Sequence, residues 1–321
     1  MTTRRLGKNG PQLTRIGLGT WAIGGAGWKY AWGSQDDRDS VAVIHEALDL
    51  GINWIDTAAV YGLGHSEEVV GRAVAGRRGR VLVATKCGRT GAPDGSIVSV
   101  LDAASVRAEL EASLRRLKTD WIDLYQVHWP DPDPQIEEAW EEIAKAVKAG
   151  KVRYAGVSNF GPAQMQRIQR IHPITSLQPP YSMLRRDVER EILPFCGENG
   201  IGVICYSPLQ MGILSGTFSR ERAASLAEDD LRSRSPHFTE PDLSRNLALV
   251  EKLRPIAARN GRTAGELALA WVLRRPEVTA AIVGGRRPGQ AKDLAGAADW
   301  NLSTEDAAEI ENALAEREAT A

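Results

Sequence analysis

Cysteine is scarce in this chain. Only Cys87, Cys196 and Cys205 occur among 321 residues. An odd number at these spacings fits neither a metal ribbon nor a disulfide framework, so a reducing compartment is expected. Excess charge is absent too, with 40 Lys plus Arg against 41 Asp plus Glu. No basic face is announced, which argues against nucleic acid and against anionic membrane surfaces as partners. No apolar run approaches the roughly 20 residues that cross a bilayer. The opening "MTTRRLGKNGPQL" carries charge without an apolar core segment, so it does not read as a secretory signal, and a cytoplasmic location is expected. Linkers, short repeats and low-complexity tracts are missing as well. The chain therefore reads as one domain over residues 1–321.

What is present is an alternation. Short apolar strand-like runs fall at 15–19, 52–56, 81–86, 122–128, 152–158, 174–178, 201–207 and 279–285. Most lack a clean polar alternation, as strands covered on both faces should. Helical patterns separate them. Val41, Ile44 and Leu48 form one stripe before Gly51. Val106, Leu110, Leu114 and Leu117 form a second, and Ile136, Trp140, Ile143 and Val147 a third. Further helices are expected near 161–171, 187–199, 263–274 and 288–297. Eight strand-helix units at this length predict an α/β fold, a (β/α)8 TIM barrel, with an open doubly wound sheet as the alternative. "KNGP" predicts a β-hairpin ahead of the barrel. A long polar connection spans 207–243, and extra C-terminal helices are expected near 242–258 and 303–317.

In such a barrel the site sits where strands end. The second strand ends on Asp56, the third on Lys86 and the fourth on His128, with Tyr61 just past Asp56 in "NWIDTAAVYG". Taken singly, each has an ordinary structural role: a helix cap, a solvated cation, a hydrogen-bonded imidazole, a loop-packing ring. Together they make chemical sense. A phenol with an ordinary pKa of about 10 is a poor proton donor at neutral pH. An adjacent ammonium lowers that value, and an acid keeps the ammonium charged. His128 can orient a carbonyl oxygen toward Tyr61, and it is the other group near the mouth with a suitable ordinary pKa. Nothing in this set delivers hydride, so a cofactor must.

"GLGTWA" at 17–22 matches a dinucleotide fingerprint, but no helix pattern follows it, so the Rossmann reading fails. Stronger cofactor signals come late. Ser158 and Asn159 end the fifth strand, Gln178 the sixth and Tyr206 the seventh. "IVGGRRPGQAKDL" leads two glycines toward a helix N-terminus, where backbone N–H groups favour phosphate, with Arg286 and Arg287 as cations for a 2′-phosphate. Cys87, directly after Lys86, reads as a packing residue, with a reactive thiol as the alternative. Trp28, Trp32 and Trp129 are candidates to wall an apolar pocket or to pack loops together.

These segments resemble the aldo-keto reductase family from about residue 4 to residue 297. "NWIDTAAVYG", "VATKCG", "LYQVHWPD", "GKVRYAGVSNF", "LQPPYSML" and "YSPLQMGILSG" carry the likeness, in the family's order. The resemblance implies a barrel reductase that uses NADP(H) to reduce a small-molecule carbonyl substrate. By it Tyr61 is the general acid, Lys86 tunes it, Asp56 supports Lys86 and His128 orients the substrate. Thr20, Trp21 and Asp56 would meet the nicotinamide end, and Ser158, Asn159, Gln178 and Tyr206 would hold the nicotinamide. Ser207, Pro208, Leu209, Gly212 and Ser215 would wrap the pyrophosphate, and Gly284, Arg286, Gln290 and Asp293 the adenosine phosphate end. Leu294 and Val283 depart from the family's usual asparagine and proline, which bears on adenine binding rather than catalysis. Two rivals are a Schiff-base lyase built on Lys86 and a non-catalytic nicotinamide-binding protein on the same fold. A charged Lys86 argues against the first, and the filled catalytic positions argue against the second.

Overall fold

The computed structural model describes residues 1–92, 96–228 and 230–319, leaving aside the side chains of Asp293 and Leu294. Its strands are β1 (Thr3–Arg5), β2 (Gln12–Thr14), β3 (Ile16–Gly19), β4 (Trp54–Asp56), β5 (Leu82–Cys87), β6 (Arg89–Gly91), β7 (Ile97–Ser99), β8 (Ile122–Val127), β9 (Val152–Ser158), β10 (Ser176–Gln178), β11 (Gly202–Cys205) and β12 (Val278–Gly284). Eight of them close into a parallel barrel in the order β10-β11-β12-β3-β4-β5-β8-β9. β1 and β2 form the antiparallel hairpin expected ahead of the barrel. All eight expected barrel strands are present, most of them shorter than the apolar runs that announced them.

Strand alternation decides which side chains enter the barrel. In β4, Trp54 packs with Ala84, Leu124 and Ile204 inside the barrel, while Ile55 joins the outer core under the helices. Leu6 and Leu13 of the hairpin close this inner cluster from below. Trp54 Nε1 donates to Thr14 O at 2.9 Å, so the ring is both buried and satisfied. Burying an aromatic of this size contributes roughly 4–6 kcal/mol. Gly17 is required beneath it: a Cβ there would lie 2.0 Å from the Trp54 ring. Two residues above Trp54 on the same face comes Asp56. The strand ends on a carboxylate because that position points into the barrel mouth rather than into the outer core.

Helices α1 (Asp37–Asp49), α2 (His65–Ala73), α3 (Ala103–Leu117), α4 (Ile136–Lys148), α5 (Pro162–Ile168) and α6 (Ile192–Asn199) cover the first part of the barrel. α7 (Arg220–Ala224), α8 (Asp242–Arg259), α9 (Ala264–Leu273), α10 (Lys292–Ala295) and α11 (Thr304–Ala319) complete it. Asp36 and Asp102 cap α1 and α3 by accepting from the N–H groups of Arg38 and Ser105. The stripe of α3 is buried as expected, whereas α1 buries Val43, Ile44 and Ala47, with Val41 and Leu48 at its edges. α9 is buried at every position, which its continuous apolar sequence requires.

Two expectations need correction. The helix expected over 187–199 is a short turn at Asp187–Glu189 followed by α6. Pro194 lacks an N–H, and its ring excludes the carbonyl four residues back, so α6 starts just before it. The helix expected near 288–297 is reduced to α10 and a turn at Gly296–Asp299. The connection 207–243 is built of short helical turns at 210–215, 220–224, 231–234 and 236–238, pinned by the Phe218–Phe238 ring contact. One element went unforeseen: β6 and β7 pair as a second hairpin directly after the lysine strand.

Candidate active site

The barrel register brings the strand ends level. Asp56 pairs with Ala84, Lys86 with Gln126 and Gln178 with Ser158. Lys86 is 1% exposed, and its Nζ donates to Asp56 Oδ1 at 2.6 Å, to Thr57 O at 2.9 Å and to Tyr61 Oη at 3.2 Å. The other carboxylate oxygen of Asp56 accepts from Gln178 Nε2 at 2.7 Å and from Gln126 Nε2 at 3.4 Å. Asp56 thus spans the barrel, with an ammonium on one side and two amides on the other. Gln126 was not singled out in the sequence. Its place two residues before His128, on the same strand face, was the available signal.

Tyr61 reaches the mouth because its loop turns sharply. Gly62 has φ +60°, and a Cβ on it would lie 2.2 Å from Gly24 O, so the loop can close only with glycine there. Beneath the loop, Ser66 Oγ donates to Thr20 Oγ1 at 2.8 Å, and Thr57 and Ser66 share a 3.0 Å hydroxyl contact. The Tyr61 and His128 rings stand edge to face with centroids 5.9 Å apart.

Electrostatics refine the expected roles. Burial works against the Lys86 ammonium, but Asp56 and Tyr61 outweigh it and hold its pKa above the usual value. For Tyr61 the balance goes the other way. Burial raises the phenol more than Lys86 lowers it, so its pKa lies above the ordinary value rather than below. The expectation that Lys86 pulls Tyr61 down is met by Lys86's own effect and reversed in the net. A phenol held neutral keeps its proton until an acceptor arrives. Burial, Lys86 and Arg89 push the His128 pKa well below the usual imidazole value. His128 is therefore neutral, suited to donating a hydrogen bond and unsuited to replacing Tyr61 as the acid.

A cavity of about 720 Å³ opens at this mouth. Thr20, Trp21, Asp56, Ser158, Asn159, Gln178, Tyr206, Ser207, Pro208, Leu209, Gly212, Ser215, Gly284, Arg286 and Gln290 all line it, together with Tyr61 and His128. The side chain of Asp293, like that of Leu294, lies outside the described residues. Val283, the other departure from the family pattern, lines the cavity. Several of these groups are already tied to one another. Ser158 Oγ donates to Gln178 O at 2.8 Å, Asn159 Nδ2 to His128 O at 3.0 Å, and Tyr206 Oη to Asn159 Oδ1 at 2.9 Å. Ser207, Gln210 and Met211 adopt positive φ, which turns the backbone at 207–212 along the cavity.

At the far end the expected phosphate site is altered. The N–H groups of Arg286 and Arg287 both donate to Gln290 Oε1, and that of Gly289 to Glu46. Those amides are satisfied internally, and α10 begins only at Lys292. The Arg286 guanidinium is also engaged, donating to Gln35 Oε1 at 2.8 Å and to the carbonyls of Trp32 and Ser34. It clasps the first loop across the cavity. Arg287 is exposed and outside it. Arg222 and Arg232, which the sequence reading did not single out, line the cavity. Arg232 pairs with Asp230 and stacks on Trp32 at 4.7 Å. Arg222 has no carboxylate partner among the described residues, and the buried Trp32 Nε1 has no acceptor. A long cavity with unused donors at this end fits an extended anionic ligand.

Cys87 is buried, and burial raises its thiol pKa well above the usual value, so the packing reading holds. Among the described residues no group of three His, Cys, Asp or Glu is placed to hold a metal. No helix among them is long and apolar enough to cross a membrane.

Comparison with known proteins agrees with this geometry. A curated aldo-keto reductase of Bacillus subtilis strain 168, YhdN, is 40% identical over 308 residues, covering 95% of this chain and 91% of that protein. An NADH-specific methylglyoxal reductase of Escherichia coli K12 is 35% identical, with 94% and 95% coverage. The solved glycerol dehydrogenase of Gluconobacter oxydans superposes with a TM-score of 0.89 at 39% identity, covering 98% of this chain and 95% of that one. The family model described as the aldo/keto reductase family matches residues 15–315, so a barrel whose strand ends converge on Tyr61 and Lys86 belongs, by sequence and by structure, to the aldo/keto reductases.

Proposed function

We propose that this chain is an NADPH-dependent, cytoplasmic reductase of aldehydes and ketones in which Tyr61 donates the proton. The observation that carries the reading is the Lys86 ammonium, bonded at once to Asp56 Oδ1 and to Tyr61 Oη, at one end of a cavity that Arg222 lines at the other. Reduced nicotinamide dinucleotide supplies the hydride when bound. The protein's own groups do the rest. Neutral His128 donates to the substrate carbonyl and turns its oxygen toward Tyr61. The Tyr61 hydroxyl gives its proton to that oxygen as charge builds there, and Lys86 stabilises the phenolate left behind. Asp56 holds Lys86 charged, and Gln178 and Gln126 hold Asp56. Ser158, Asn159 and Tyr206 would hold the nicotinamide, and the turned backbone at 207–212 with Ser215 would hold the pyrophosphate. Gly284 and Gln290 shape the far end. Arg222 would take the 2′-phosphate, because the Arg286 guanidinium is spent on residues 32–35.

The test is a titration of protein fluorescence with NADPH and with NADH, followed by an aldehyde panel monitored through loss of cofactor absorbance. Quenching by NADPH and turnover of several aldehydes are expected. Absence of quenching by either nucleotide at millimolar concentration would sink the proposal.

A further inference from the structure

Arg89 opens the unforeseen hairpin, pairing with Ser99 across β6 and β7. It lines the cavity on the substrate side, beside His128, Trp129 and Ile97. Its guanidinium lies over the Trp129 ring, 5.2 Å from the centroid. Its Nε is shielded from solvent and has no hydrogen-bond partner. Among the described residues it makes no ion pair, whereas Arg232 across the same cavity is matched by Asp230. A buried donor on a cation normally finds an acceptor, so this one is left for a ligand. The planar guanidinium suits a carboxylate or phosphate, and stacking on Trp129 holds its plane. Trp28, Ile97 and Trp129 add apolar wall to the same cavity, Trp28 with its ring 6.1 Å from that of Tyr61. That space suits a short carbon chain.

Building on the reductase reading, we propose that Arg89 selects carbonyl substrates bearing an anionic group, with the carbonyl at Tyr61 and His128 and the carboxylate or phosphate at Arg89. The chemistry of reduction is unchanged: hydride goes to the carbonyl carbon, the Tyr61 proton to its oxygen, and the anionic group stays intact.

Two matched pairs test this with NADPH: succinic semialdehyde against butanal, and glyceraldehyde 3-phosphate against glyceraldehyde. The wild type should favour the charged member of at least one pair in kcat/KM, and which pair responds distinguishes carboxylate from phosphate. In Arg89→Leu the charged-to-neutral ratio should fall about tenfold or more, the size of one lost charge-assisted contact. Arg89→Lys should recover part of it. A readout free of turnover uses the cofactor-free protein, where 4-hydroxybutyrate but not butanol should quench tryptophan fluorescence, and Arg89→Leu should abolish the quenching. An unchanged ratio in Arg89→Leu, or a wild type that favours the neutral members, would overturn the proposal and leave the reductase reading standing. A wild type that reduces none of the four aldehydes would overturn the reductase reading, and the role of Arg89 with it.

Discussion

Gln178 and Asp56 are 122 residues apart in sequence, and the Gln178 amide donates to the Asp56 carboxylate at 2.7 Å inside the barrel. This bond gives Gln178 a second duty beside the nicotinamide contact expected for it. Gln178→Leu should lower kcat by about tenfold even at saturating NADPH, because a buried carboxylate loses an amide donor and its hold on Lys86 loosens. A variant with normal kcat and only a weakened cofactor Kd would show that Gln178 serves the nicotinamide alone.

The arginines at the far end of the cavity should separate by role. Arg222→Ala should weaken NADPH binding about tenfold or more while changing NADH little, as loss of one charge-assisted phosphate contact implies. Arg286→Ala should weaken both nucleotides, since it releases the loop at 32–35. Fluorescence titration of each variant with each nucleotide decides. Selective loss of NADPH in Arg286→Ala, with Arg222→Ala neutral, would return the 2′-phosphate to Arg286.

Much of this site was legible before the fold was known. Asp56, Lys86 and His128 stand at strand ends, and strand ends meet at one mouth whatever the loops do. What the sequence concealed depends on loops and on contacts across the barrel. Arg286 looked like a phosphate cation, but whether its guanidinium is free turns on where residues 32–35 cross the cavity. Arg89 sits in a strand pair that no sequence pattern announced, and nothing local says that its Nε lacks a partner. The net direction of the Tyr61 pKa is hidden from the sequence, because proximity to Lys86 follows from the strand-end pattern whereas the depth of burial does not.

A buried acid behind the site should make stability depend on pH. Glu109 lies between α3 and the lysine strand and accepts the N–H of Gly88 with both oxygens. Burial raises its pKa to about 7, with Glu67 adding to the rise and the Gly88 N–H, Arg116 and Ser105 opposing it. Cys87 and Tyr125 face the same space. The unfolded chain releases this proton near the ordinary carboxylate value, so stability falls as pH rises from about 4.5 toward 7, and the loss is complete above 7. Glu109→Gln keeps an acceptor for Gly88 and removes the charge. It should be more stable than wild type at pH 8, by on the order of 2–4 kcal/mol, and lose that advantage near pH 5. Urea unfolding at both pH values measures this. An advantage that is equal at the two would rule out the titration.

Proton donation depends on the Tyr61 hydroxyl, and Tyr61→Phe removes only that group. The measurement is single-turnover reduction at saturating NADPH, paired with a cofactor titration. The rate of reduction should fall by about 10²–10⁴-fold, the usual contribution of general acid catalysis, while the NADPH Kd stays within about threefold. A variant that keeps more than about a tenth of the wild-type rate in that chemical step would contradict the assignment of Tyr61 as the proton donor.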